Sequence, residues 1–165
     1  MRFIVASILL LVGTCSNQRH SEKVRDLKAS IVYDNTSQVD TYVKTITEKD
    51  LKKHLYEIAS DKYAGRMAGE DGHNDVCNYL RTQYDSLNIK STPSYPNYYQ
   101  TVPKSYLPQE LNKSQNVIAF IEGTEFPKEY LIISAHSDHM GVVDGQVYNG
   151  ADDNGSGTSA ILEIA

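Results

Sequence analysis

The chain has 165 residues, 40% of them apolar and 22% charged, a balance that excludes collagen-like, coiled-coil and wholly disordered chains. Its formal charge of -5 offers no basic excess for a phosphate backbone, so no nucleic acid partner is expected. Two cysteines, Cys15 and Cys77, allow one disulfide at most, and the fold must therefore rest on a hydrophobic core.

The chain opens with Arg2 and an apolar run, Phe3 to Val12, broken only by Ser7 and closed by the small residues Gly13 and Thr14. The run is too short to span a bilayer and has the layout of a secretory signal. Leu11-Val12-Gly13-Thr14-Cys15 resembles a bacterial lipoprotein processing site, although Thr before the cysteine is less usual than Gly, Ala or Ser. Cys15 is accordingly the expected lipidation site. The alternative is an ordinary signal peptide followed by an incidental cysteine. The expected organisation is a signal peptide over 1–14, a polar tether over 15–46 and the start of a larger domain over 47–165. Export to the periplasm or cell surface, with a lipid anchor to the membrane, follows.

Thr47 with Asp50 reads as a capping box, and Leu51, Leu55, Ile58 and Ala59 recur at helical spacing, so a helix is predicted over 48–60, with His54 on an exposed position. Tyr63 to Glu70 holds too many glycines for a helix and too little alternation for a strand, and is predicted to be a loop in which Arg66 has a structural role or lies near a substrate cleft. Val76, Leu80, Tyr84 and Leu87 share one face of a second predicted helix over 74–87. It starts near His73 and is capped by Asn88 in a left-handed conformation. Cys77 reads as a small buried hydrophobe. Residues 91–108 concentrate proline and tyrosine and predict an extended connector. Two nearly continuous apolar runs, Asn116 to Glu122 and Tyr130 to Ala135, predict strands covered on both faces. The expected class is α/β, a mixed β-sheet sandwiched by helices.

Chemistry concentrates where the second apolar run ends. His136-Ser137-Asp138-His139-Met140-Gly141 is followed by Tyr148-Asn149-Gly150-Ala151-Asp152-Asp153-Asn154-Gly155-Ser156-Gly157. Carboxylates gathered beside histidines repel one another unless a cation holds them together, which points to a metal. A solvated acidic loop, with His136 packed at a strand edge, accounts for the clustering equally well.

These two motifs, in this order and at this spacing, closely resemble the first two metal-site motifs of the M28 family of zinc peptidases, which includes bacterial leucine-type aminopeptidases. Gly65-Arg66-Met67-Ala68-Gly69 and the run from Asn116 to Gly123 resemble that family as well, so the likeness extends over roughly residues 50 to 165. It implies the fold of a zinc-dependent exopeptidase (phosphorylase/hydrolase-like), peptide substrates, two zinc ions and removal of N-terminal residues by metal-activated water. By resemblance His136 is a terminal zinc ligand, Asp153 bridges both ions, and Asp138, counted among the catalytic residues, lies behind His136 and orients its imidazole. His139, Asp152, Asn149 and Asn154 then stand behind or beside the ligands, with His139 as pocket wall rather than ligand. The resemblance also implies a cis peptide between Asp153 and Asn154.

In such a family a glutamate base, a glutamate ligand, a further aspartate and a last histidine are expected after Ala165. Glu163 does not fit the base, because it falls in the helix that follows Asp153. The sequence is therefore expected to be the N-terminal part of a longer enzyme and, by itself, inactive. Two other classes remain compatible with it: a glutaminyl cyclase-like enzyme of the same fold, and a non-catalytic surface protein that retains the scaffold.

Overall fold

A computed structural model of the chain describes residues 21–32, 35–111 and 113–165. The expected signal peptide, Cys15 and His20 lie outside the described residues. The chain divides into two compact units, Met1–Thr45 and Ile46–Ala165. In the first, residues 21–30 form helix α1 and Thr36–Val43 form α2, which buries none of its residues. The expected polar tether thus contains two helices among its described residues. Its helix-favouring Glu, Lys, Arg and Leu residues and the cap from Asn35, whose side chain accepts the Gln38 N–H at 3.2 Å, act locally and require no apolar face. No helix among the described residues is long and apolar enough to cross a membrane.

The second unit begins with α3, Glu48–Ile58, close to the predicted span. Thr47 caps it as the sequence indicates: its hydroxyl accepts the Asp50 N–H at 3.2 Å and donates to the Asp50 carboxylate at 2.6 Å. A tight turn, Asp61–Arg66, leads to α4, Asp71–Ser86. That helix ends in a Schellman motif, with Asn88 at φ 58°, Asn88 N–H donating to Asp85 O at 3.0 Å and Ile89 N–H to Tyr84 O at 3.0 Å. The accompanying apolar contact is present too, since Ile89 and Tyr84 both join the core with Ile58, Tyr63, Val76, Leu80, Tyr98 and Leu162. Burying each large side chain of this cluster contributes about 1.5–3 kcal/mol. The last helix, α5, Ser156–Ile164, reaches the cluster through Leu162.

The described strands form two separate antiparallel ribbons. Tyr99–Thr101 (β1) pairs with Gln115–Val117 (β2), and Gly141–Val143 (β3) pairs with Gln146–Tyr148 (β4). Helices and small sheets are thus mixed, as an α/β class requires, but the described residues contain no helix-covered central sheet. The first predicted strand is cut short: after Val117 only a bridge between Lys90 and Phe120 continues it. The second predicted strand, Tyr130 to Ala135, is unpaired and largely in solvent, with Leu131 90% and Ile132 83% exposed. Its apolar content fits a covered strand, but a strand forms only when neighbours accept its backbone hydrogen bonds, and none of the described segments lies alongside.

Candidate active site

The site is built from three backbone segments that the sequence separates widely. The first is the turn Asp61–Arg66, where Ala64, Gly65 and Arg66 all have positive φ. Gly65 is required there. A Cβ on it would lie 2.3 Å from Gly141 O and 2.7 Å from Tyr148 O, so the turn packs directly on the backbone of the β3–β4 ribbon.

The second segment carries His136 to Met140. Its backbone is held from two sides: the Thr158 hydroxyl of α5 donates to His136 O at 3.0 Å, and His139 N–H donates to Arg66 O at 3.0 Å. The third is the sharp turn Ala151–Gly155, closed by Gly155 N–H donating to Gly150 O at 3.0 Å, in which the Asp153–Asn154 peptide is cis. Gly150, at φ 51°, lies against the His139 ring and Asp153 O, each 2.4 Å from where a Cβ would stand.

These turns bring two of the expected residues together. His136 Nε2 stands 2.9 Å from Asp153 Oδ1. On the other side of the ring, Nδ1 is 3.1 Å from the main-chain carbonyl of Asp138 and 3.5 Å from its carboxylate. The nearer partner of the imidazole is therefore the carbonyl of Asp138. With Nδ1–H donating there, the nitrogen presented to Asp153 is Nε2. Half of the His136 side chain and 72% of that of Asp153 are in solvent, which leaves the pair open to a ligand.

The remaining expected residues take different places. His139 is half-buried, its backbone bridged to Met67 and its ring against Gly150. The Asn154 side chain accepts the Gly157 N–H at 3.1 Å and so holds the first turn of α5. Asp152 is exposed, and its carbonyl accepts the Ser156 hydroxyl at 3.1 Å. Asn149 donates to Asp61 Oδ1 at 2.6 Å.

Three placements differ from the sequence reading or escape it. His54, expected on an exposed position, is only 7% exposed, because the Glu163 carboxylate at 3.1 Å and the Tyr79 hydroxyl at 2.6 Å draw it between helices. Burial holds its pKa below the ordinary histidine value, with Lys53 acting in the same sense against Glu163 and Asp50. His73 is buried too, with Nε2 3.1 Å from the Ser137 hydroxyl and 3.5 Å from the Cys77 thiol, and burial likewise lowers its pKa. Cys77 is fully buried, as its sequence context indicates, and burial pushes its thiol up to about 11. Thr158 escapes a sequence reading altogether, since a threonine at a helix start carries no signal of the carbonyl it will meet.

An imidazole nitrogen and a carboxylate oxygen 2.9 Å apart are donors that suit zinc. At that distance the two groups share a hydrogen bond when Nε2 carries a proton, and offer a nitrogen and an oxygen lone pair to a cation when it does not. The donor count is short, however: no group of three or more His, Cys, Asp or Glu among the described residues is arranged to hold a metal ion. A zinc centre uses at least three protein ligands.

His136 and Asp153 thus form an exposed imidazole–carboxylate pair at the turn that leads into α5. Residues 116–165 match the model of peptidase family M28. The match takes in both motifs on which the resemblance rests, and it points to a metallopeptidase, hence a hydrolase acting on peptides; members of this family generally bind zinc. It spans less than half of the chain. No curated protein and no solved structure matches the sequence.

Proposed function

We propose that the protein is a zinc-dependent exopeptidase of the aminopeptidase type, with His136 and Asp153 as ligands of a two-zinc centre. The observation that carries this reading is the 2.9 Å approach of His136 Nε2 to Asp153 Oδ1 inside the segment matched to the M28 family. Zinc, when bound, supplies a water that is nucleophilic near neutral pH. The chain's own residues orient and hold the pair. Asp138 fixes the ring of His136 through its carbonyl, so that Nε2 faces outward. Thr158 holds the backbone of His136 from helix α5, and Asn154 stiffens the start of that helix beside Asp153. Export, with lipidation at Cys15, belongs to the same proposal and is supported by the apolar run that ends at Gly13-Thr14.

The test uses the purified protein with its metal content measured. Chelator-sensitive hydrolysis of aminoacyl-4-nitroanilides is expected, with no cleavage of N-acylated substrates. His136→Ala and Asp153→Ala should abolish activity and lower bound zinc, while His139→Ala keeps most of its zinc. Loss of zinc in His139→Ala with retention in His136→Ala overturns the ligand assignment. Cyclisation of N-terminal glutamine without peptide cleavage overturns the peptidase reading. A mature N-terminus at any residue other than Cys15 overturns the anchor.

A further inference from the structure

The guanidinium of Arg66 is the largest fully buried side chain of the described residues, at 0% exposure. Among those residues, no carboxylate within ion-pair distance neutralises it. Its partners are instead four main-chain carbonyls: Nε donates to Ser137 O at 2.8 Å, Nη1 to Ile58 O at 3.0 Å and to Asn149 O, and Nη2 to Gly150 O at 3.0 Å. The same residue's carbonyl accepts the His139 N–H at 3.0 Å. Ser137 lies between His136 and Asp138, and Gly150 opens the turn that ends just past Asp153. One planar fork thus grips the backbone on both sides of the 2.9 Å His136–Asp153 contact.

We propose that Arg66 is a positioning residue whose guanidinium fixes the spacing of His136 and Asp153 by clamping the two segments that carry them. The inference rests on the reading of that pair as the working centre. It goes beyond the ordering of the glycine turn in which Arg66 itself sits. Only a guanidinium serves, because its donors leave in fixed, divergent directions within one plane, whereas an ammonium is a single point on a flexible stem. Burial works against the guanidinium charge and lowers its pKa, while the carboxylates of Asp138 and Asp153 act from a distance in the opposite sense; the four carbonyl dipoles supply the close compensation that a buried charge needs.

The experiment compares amide hydrogen exchange in the wild-type chain, Arg66→Lys and Arg66→Ala. In Arg66→Lys, amides of 136–141 and 150–155, those of His139 and Gly155 among them, should exchange at least ten-fold faster, while Val76 to Tyr84 in α4 keep their wild-type rates. In Arg66→Ala, guanidinium chloride at millimolar concentration should restore protection in both segments, and methylammonium should not. Uniform acceleration through α3 and α4, unchanged rates in both segments, or equal rescue by the two cations overturns the proposal. Zinc affinity, measured against a chromogenic chelator, is a separate arm, and at least a ten-fold loss is expected in Arg66→Lys. A wild-type protein that binds no zinc overturns the metal-centre reading, and the exchange data then decide the role of Arg66 alone.

Discussion

His54 Nε2 of helix α3 stands 3.1 Å from Glu163 Oε1 of helix α5, and both side chains are nearly closed to solvent. With Tyr79 of α4 donating to Nδ1 at 2.6 Å, a neutral imidazole satisfies both contacts: Nε2–H donates to the carboxylate and Nδ1 accepts the phenol. Three helices are thereby pinned at one polar point beside the apolar core. Glu163 has a place here that is structural, apart from the His136–Asp153 pair.

Removing one end of this chain strands the other. His54→Ala leaves a carboxylate and a phenol without their partner and should cost about 1–3 kcal/mol. Glu163→Gln retains an acceptor for Nε2–H and should cost less than Glu163→Ala. Urea unfolding followed by circular dichroism measures all three, and an equal loss for Gln and Ala would show that the hydrogen bond has no role.

Acid should weaken the fold through its buried histidines. Burial favours the neutral rings of His54 and His73, so the folded pKa of each lies below the ordinary value of 6.5. Below that value the unfolded chain takes up more protons than the folded one. Stability from these two groups is therefore complete above about pH 6.5 and is lost as pH falls through their folded pKa values. The melting temperature should fall between pH 7.5 and pH 5, and should fall less in His54→Phe and His73→Phe, each compared with its own value at pH 7.5.

Two glycines with similar backbones separate strain from crowding. Gly145, at φ 77°, has nothing within 4 Å of where a methyl would stand, whereas at Gly150 a methyl would lie 2.4 Å from the Asp153 carbonyl and the His139 ring. Gly145→Ala should cost only the left-handed conformation, about 1–2 kcal/mol. Gly150→Ala should cost more and should also lower zinc binding, because the turn must move Asp153 to admit the methyl. Thermal melts of the two variants, with metal analysis beside them, check this ordering.

Cys77 should be unreactive in the folded chain. Its thiol is fully buried and raised to about 11, so little thiolate forms at neutral pH. In a Cys15→Ser background, labelling by a disulfide reagent at pH 8 should wait on unfolding and follow the denaturant curve. Rapid labelling under native conditions would contradict the packing of α4.

How much of the molecule is legible in its sequence depends on the range of the forces involved. Thr47 with Asp50, and Asn88 after Tyr84, announce the ends of α3 and α4 because a cap is satisfied within a few residues of itself. The hairpin of β3 and β4 is equally local: Asp144-Gly145 between valines and Gln146-Val147 is a two-residue turn signal, with both residues at positive φ. The predicted elements omit it, because its strands are only three residues each and lie between two motifs with a stronger, metal-like signal. By itself the sequence determined these caps and turns, the buried character of Cys77 and the two motifs that the M28 family model matches. Only the tertiary structure decided that His54 is buried, that Tyr130 to Ala135 is unpaired and that Arg66 joins Ser137 to Asn149 and Gly150. Each of those outcomes depends on which backbone groups meet across long stretches of chain, and a carbonyl that accepts a hydrogen bond leaves no mark on its own residue type.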